Sequence, residues 1–159
     1  MRILVTGGAG FIGAAAALWL KASHPDWHVM AFDNLRRRGS ELAPPRLAAG
    51  GVIFVHGDVR VREDLGTAGS ADWLIECSAE PSVHAGYGGS PDYAVATNLN
   101  GAINCLDHQR RHGGALVFLS SSRVYPIERL RALPLTTERE RMALKPGLRG
   151  EGWSASGIT

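Results

Sequence analysis

The sequence predicts a doubly wound α/β domain, with a parallel sheet covered by helices on both faces. Three observations predict it. Short apolar runs alternate with helical stretches, the first run stops in a glycine turn that opens a helix, and the second run ends on an acid. Strands that alternate with helices pair in parallel through right-handed crossovers. In such sheets a ligand lies at the carboxyl ends of the strands.

Arg2 to Thr6 (RILVT) is a short β-branched run that stops at Gly7, the pattern of a buried parallel strand. Phe11 to about Ala22, rich in Ala and Leu, reads as the first helix. His28 to Phe32 is a second strand ending on Asp33, and Val52 to Val55 is a third, leading into His56, Gly57 and Asp58. Trp73 to Cys77 and Ala115 to Leu119 read as the fourth and fifth. Between those two, the spacing predicts one long helix from about Pro91 to His112. Pro91 suits its first turn, and Gly113-Gly114 stops it. Val95, Leu99, Ala102, Ile103 and Leu106 form an apolar stripe at helical spacing.

After Tyr125 this alternation ends. Residues 126–159 hold Pro134, Lys145-Pro146-Gly147 and a closing glycine- and serine-rich stretch. No further strand is expected there, and any helix near Glu138 to Leu144 would be short. The expected division is 1–126 for the strand-and-helix domain and 127–159 for an incomplete active-site loop or tail, which its Gly and Pro content suggests is mobile.

The totals narrow the function classes. A length of 159 residues fits one domain with one core, and 45% apolar with 20% charged residues is ordinary for a globular protein. A net charge of +2 is too small to imply nucleic acid, and the basic run Arg36-Arg37-Arg38 has no aromatic interleaving. No apolar stretch approaches a membrane span, and the N-terminus reads as neither signal nor transit peptide. The two cysteines, Cys77 and Cys105, lack metal-ligand spacing and sit in apolar contexts. A reduced, cytoplasmic protein without a structural metal is expected.

Thr6-Gly7-Gly8-Ala9-Gly10-Phe11-Ile12-Gly13 satisfies both GxxGxxG and GxGxxG. Such a turn leaves a strand sharply and lets backbone N–H groups approach a pyrophosphate. It then seats a helix N-terminus beneath that anion. The turn follows a predicted strand, opens a predicted helix and is trailed by Asp33, twenty residues beyond Gly13. A carboxylate there accepts hydrogen bonds from the adenosine ribose and repels a 2′-phosphate, which favours NAD over NADP. The arginines at 36–38 weigh the other way, since they could pair with that phosphate, rest on the adenine or simply be solvated. Asp58 could accept from the adenine amino group or only bond its own backbone.

These motifs come in a recognisable order. TGGAGFIG from Thr6, FDNLRRRG from Phe32, GDVR from Gly57, CSAE from Cys77, NLNG from Asn98 and SSSRVYP from Ser120 resemble the extended short-chain dehydrogenase/reductases, the NAD-dependent nucleotide-sugar epimerases and dehydratases. FDNLxRRG and SSxxVYx are most similar to the CDP-paratose/tyvelose 2-epimerase branch. The resemblance runs from residue 1 to about 126. It implies a Rossmann sheet of five strands in the order 3-2-1-4-5, truncated before a sixth. It also implies cofactor contacts from Gly7, Gly10, Phe11, Ile12 and Gly13 at the pyrophosphate, and from Asp33, Asn34, Arg37, Asp58 and Val59 at the adenosine. Ser78, Ala79 and Glu80 would border the nicotinamide side, with Asn98 near the ribose and Ser120 beside the cofactor. Ser121 falls at the position of that family's catalytic Ser or Thr.

The same resemblance implies a Tyr-x-x-x-Lys pair, whose lysine lowers the tyrosine pKa so that the phenolate can take a substrate proton. This chain has no such pair. Its three tyrosines, Tyr87, Tyr93 and Tyr125, are followed four residues on by Pro91, Thr97 and Arg129. The arginine has a different shape and is no substitute. A serine without its base is not activated. The expectation is therefore an N-terminal, NAD-binding portion of an epimerase or dehydratase, inactive alone. A nucleotide-sugar substrate would bind only if the missing C-terminal part were supplied. A homo-oligomer or a complementing chain is the expected kind of protein partner. The alternatives are a non-catalytic NAD-binding sensor or regulatory module, and a nonfunctional truncated remnant.

Overall fold

The computed structural model describes residues 1–121, 126–145, 147–154 and 157–158. The chain divides into two compact units, Met1–Leu119 and Ser120–Thr159.

The first unit is a five-stranded parallel sheet. Its strands are β1 (Arg2–Thr6), β2 (His28–Asp33), β3 (Ile53–His56), β4 (Trp73–Glu76) and β5 (Ala115–Phe118), in the order β3-β2-β1-β4-β5. This is the doubly wound order that the sequence implies. Successive side chains of a strand point to opposite faces, so the central strands feed two cores. Ile3, Val5, Val29 and Ala31 pack with Ala14 and Ala17 of α1 (Phe11–Ser23) and Leu47 of α2 (Ala43–Ala49). Leu4, Met30, Phe32 and Leu74 face the other way, onto Leu65 of α3 (Arg62–Thr67) and Cys105 of α5 (Gly101–His112).

The chain leaves β1 in one direction to build β2 and β3, then returns to the other side for β4 and β5. The carboxyl ends of β1 and β4 therefore diverge in their connections. A crevice opens at that switch point, where ligands of doubly wound sheets bind.

The predicted long helix is instead built in three pieces. A short α4 (Asp92–Val95) runs through a π-helical turn (Ala96–Asn100) into α5. Its apolar stripe is also turned the other way: Val95, Leu99, Ile103 and Leu106 are all exposed. The buried face carries Asn104, Cys105, His108 and Gln109. The physical reason lies in the loops beneath. Asn104 Nδ2 donates to the Val59 carbonyl at 2.9 Å, and Gln109 Nε2 donates to those of Ala71 and Ala115 at 3.2 and 2.9 Å. The His108 ring nitrogen lies 3.1 Å from the Gly69 carbonyl. Buried loop carbonyls need partners, and these side chains supply them. Burial lowers the His108 pKa, aided by neighbouring His112.

The second unit overturns the expectation that no strand follows Tyr125. After α6 (Ile127–Arg131), strands β6 (Leu135–Glu138) and β7 (Arg141–Leu144) form an antiparallel hairpin, with Leu135 opposite Leu144. The two-residue turn Arg139-Glu140 has Arg139 at φ 57°, a left-handed conformation that two-residue hairpins favour. Residues 138–144 are good helix formers, but the cross-strand partner at 135–138, with its β-branched Thr136 and Thr137, decides for strand. A smaller pair, β8 (Trp153–Ser154) and β9 (Gly157–Ile158), follows. Among the described residues no helix is long and apolar enough to cross a membrane.

Candidate dinucleotide site

The site begins where β1 ends. Gly7 adopts φ +62°, and a Cβ there would lie 2.7 Å from the Cys77 carbonyl, so the turn can press against the end of β4 only without a side chain. At Gly13 a Cβ would stand 2.2 Å from the Gly7 carbonyl oxygen. That absence lets α1 start directly under the turn. Gly10 N–H donates to the Gly7 carbonyl at 2.9 Å and caps α1 without a side-chain hydrogen bond. The first turn of α1 holds no acid, so its N–H dipoles meet no anion from their own helix.

Asp33 closes the turn from the β2 side. Its Oδ2 accepts from Ala9 N–H at 3.1 Å and its Oδ1 from Leu35 N–H at 2.8 Å. One carboxylate thus fixes both the glycine turn and the chain leaving β2, and each oxygen keeps acceptor capacity for a further donor. Leu35 sits at φ 55° in consequence.

Asn34 Nδ2 donates to Asp58 Oδ2 at 2.9 Å, joining the ends of β2 and β3. Arg60 grips the same carboxylate, with Nε 2.9 Å from Oδ1 and Nη2 2.6 Å from Oδ2. The Arg60 hydrogen bonds hold the Asp58 pKa well below the usual carboxylate range, against the opposing effect of burial. Asp58 is therefore engaged within the protein on both oxygens.

On the far side of β1, Asn98 holds the chain after β4. Its Oδ1 accepts from Glu80 N–H at 2.8 Å and its Nδ2 donates to the Glu80 carbonyl at 3.1 Å. Below that segment, buried Glu76 accepts from the Thr6 hydroxyl and, at 3.1 Å, from Cys105 Sγ. Burial, with Glu76 nearby, pushes the Cys77 thiol up to about 11 and raises Cys105 further. Neither is a thiolate at neutral pH.

These segments enclose a cleft of about 540 Å³ within the first unit. Of the residues singled out from sequence, Gly7, Gly10, Phe11, Ile12, Gly13, Asp33, Asn34, Arg37, Val59, Ser78, Ala79 and Glu80 line it. Asp58 and Asn98 are not among the lining residues; they stand behind it, on Asn34 and Glu80. Ser120 and Ser121 belong to the second unit, and Ser122 to Tyr125 of the same motif lie outside the described residues. Arg36 of the basic run lines the cleft too, as do Ser40, Tyr93 and Thr97, to which the sequence did not point. Tyr93 and Thr97 had no motif to mark them.

The cleft fits a dinucleotide on three counts. Side chains are missing where the backbone must be approached, and a helix N-terminus without an acid opens into it. In addition, the buried Ser78 and Thr97 hydroxyls have no hydrogen-bond partner among the described residues. Among those residues no cluster of His, Cys, Asp or Glu could hold a metal.

Fold and cleft together define a dinucleotide-binding α/β protein of the Rossmann type. Residues 3–146 match the NAD dependent epimerase/dehydratase family, and the chain belongs to it. The chain is 34% identical over 128 residues to dTDP-glucose 4,6-dehydratase of Mycobacterium tuberculosis, covering 79% of this chain and 38% of that protein. It is 28% identical over 131 residues to CDP-paratose 2-epimerase of Salmonella typhi, with the same coverage. Among solved structures it resembles UDP-glucose-4-epimerase of Stenotrophomonas maltophila with bound NAD and formylated UDP-arabinopyranose. The TM-score is 0.66 at 30% identity, over 79% of this chain and 38% of that one. The chain thus spans about two fifths of the length of these relatives.

Proposed function

We propose that this chain is the NAD-holding portion of a nucleotide-sugar epimerase or dehydratase. The observation that carries the proposal is Asp33, bonded to Ala9 of the glycine turn at 3.1 Å and lining the same cleft as the start of α1. One small group of residues thus offers a ribose acceptor and a pyrophosphate seat side by side.

When bound, NAD supplies a hydride acceptor for a sugar hydroxyl. The chain's own residues bind and orient. The N–H groups at Phe11 and Ile12 face the pyrophosphate, while Asp33 takes the ribose hydroxyls and Asn34 and Arg37 flank the adenosine. Asp58 acts through Asn34 and stays by the adenine with Val59. Ser78, Ala79 and Glu80, held by Asn98, border the nicotinamide side, and the Ser78 and Thr97 hydroxyls find partners on the ligand. Ser120 and Ser121 take the cofactor-side and catalytic serine positions of the family motif. Residues 1–126 form the cofactor domain in this reading and 127–159 the start of the active-site segment.

The chain carries no Tyr-x-x-x-Lys pair, so the reading assigns it binding without turnover until that pair and a sugar-reading part are supplied. The same cofactor contacts would also serve a second reading, a non-catalytic NAD sensor. The cytoplasm suits both, since it keeps Cys77 and Cys105 reduced. Calorimetry with NAD tests the binding claim. Saturable heat from the chain, weakened at least tenfold by Asp33→Ala, supports it, and affinity unchanged by that substitution refutes the role given to Asp33. Turnover of a nucleotide sugar by the chain alone would overturn the assignment of binding only.

A further inference from the structure

Tyr93 gathers the arginines at one end of the cleft. Its ring centre lies 3.9 Å from the Arg36 guanidinium and 4.9 Å from that of Arg60, both within reach of cation–π attraction. The two arginines differ in what else holds them. Arg60 is neutralised by Asp58 through a 2.6 Å ion pair. Arg36 has no carboxylate partner among the described residues, and the ring is the group that holds its charge.

The placement follows from two separate elements. Arg36 stands just past the turn that Asp33 and Leu35 make after β2, and Tyr93 is in the first turn of α4. Both line the cleft beside Asp33. An acid at this position repels a phosphate on the adenosine 2′-hydroxyl, yet three consecutive arginines follow it in the chain. Arginine is the side chain best shaped to take a phosphate. Arg36 and Arg37 line the cleft beside Asp33, and a lone carboxylate facing two guanidiniums free to pair with a phosphate would discriminate weakly.

We infer that Tyr93 is a specificity-determining positioning residue: by holding Arg36 on its ring it withholds that guanidinium from a 2′-phosphate and so selects NAD against NADP. The inference rests on the reading of the cleft as an NAD site. On this inference Arg36 leaves the ring to reach a 2′-phosphate, whereas NAD leaves the contact intact. Arg37 also lines the cleft, but it is the same in every variant below and drops out when their ratios are compared.

The test is the ratio of the NADP and NAD dissociation constants, measured by calorimetry on the whole chain. Tyr93→Phe keeps the ring and is expected to keep the ratio. Tyr93→Ala frees Arg36 and is expected to lower the ratio about tenfold, the scale of one charged hydrogen bond. Adding Arg36→Ala to Tyr93→Ala should restore it. Arg36→Ala alone should leave the ratio unchanged, and this arm stands even if Tyr93→Ala does not fold. An unchanged ratio in Tyr93→Ala, equal weakening of both nucleotides, or a raised ratio in Arg36→Ala would each overturn the inference while leaving the NAD site intact. If the unaltered chain binds neither nucleotide, the NAD reading itself falls and takes the inference with it.

Discussion

Asn98 grips Glu80 from behind the cleft wall: one carboxamide satisfies both main-chain groups of Glu80, at 2.8 and 3.1 Å. The pair ties the π-helical turn before α5 to the segment that follows β4. A carboxamide suits this, because it presents a donor and an acceptor side by side. Asn98→Ala is expected to weaken NAD binding about tenfold, with a loss of stability of about 1–2 kcal/mol for two exposed hydrogen bonds. Asn98→Asp keeps the acceptor and should fall between. Calorimetry and urea unfolding read the two effects separately, and equal affinities in all three proteins would dismiss the role.

The glycines of the turn are not interchangeable. A Cβ at Gly13 meets the Gly7 carbonyl oxygen at 2.2 Å, whereas one at Gly10 stands 3.1 Å from the same atom. Gly13→Ala should therefore destabilise the fold by about 1–3 kcal/mol, as overpacking does. Gly10→Ala should be milder in unfolding experiments but still obstruct the anion seat and reduce NAD affinity. Equal stability loss in both variants would contradict the geometry.

Acid should loosen the end of β3. Arg60 holds the Asp58 pKa below its unfolded value near 3.8, so unfolded chains bind more protons there than folded ones as the pH falls. The stabilisation is fully present above about pH 5 and is lost progressively as pH falls below about 4 toward the lowered folded value. With Asp58 side chains 15% and Arg60 31% exposed, the pair contributes about 1–2 kcal/mol. Unfolding free energies between pH 3 and 7 should show a smaller drop in Arg60→Ala, and parallel curves would rule the pair out as a source of acid sensitivity.

The thiols should be poor nucleophiles. With Cys77 raised to about 11 and Cys105 buried and raised further, iodoacetamide at pH 8 should label Cys77 slowly. Cys105 should react only after unfolding. Because Cys77 lines the cleft, NAD should slow its labelling again. Rapid modification of both in the native protein would show that the burial is not maintained.

Much of this architecture could be read from residue order. All five strands of the sheet lie within about a residue of their expected places, because parallel strands leave short continuous apolar runs that glycines and acids punctuate. The short helices α2 and α3 escaped notice, since neither is long enough to show a period. The stripe on Val95, Leu99, Ile103 and Leu106 was legible as a helix but not as an outer face. Periodicity marks two faces and does not say which one turns to the sheet. The hairpin at 135–144 was missed for a different reason: its strands hold each other, and no local signal at Arg139-Glu140 announces the turn.

The order of residues determined the glycine turn, the acid twenty positions beyond it and the lack of a Tyr-x-x-x-Lys pair, because each is a matter of local spacing. Tertiary structure decided the rest of the cleft. Arg36 meets Tyr93, Asn98 meets Glu80 and Arg60 takes Asp58 only after the sheet has brought the ends of its strands together. Contacts between residues as far apart as 36 and 93 depend on chain topology, and side-chain charge and shape act on them only at that distance.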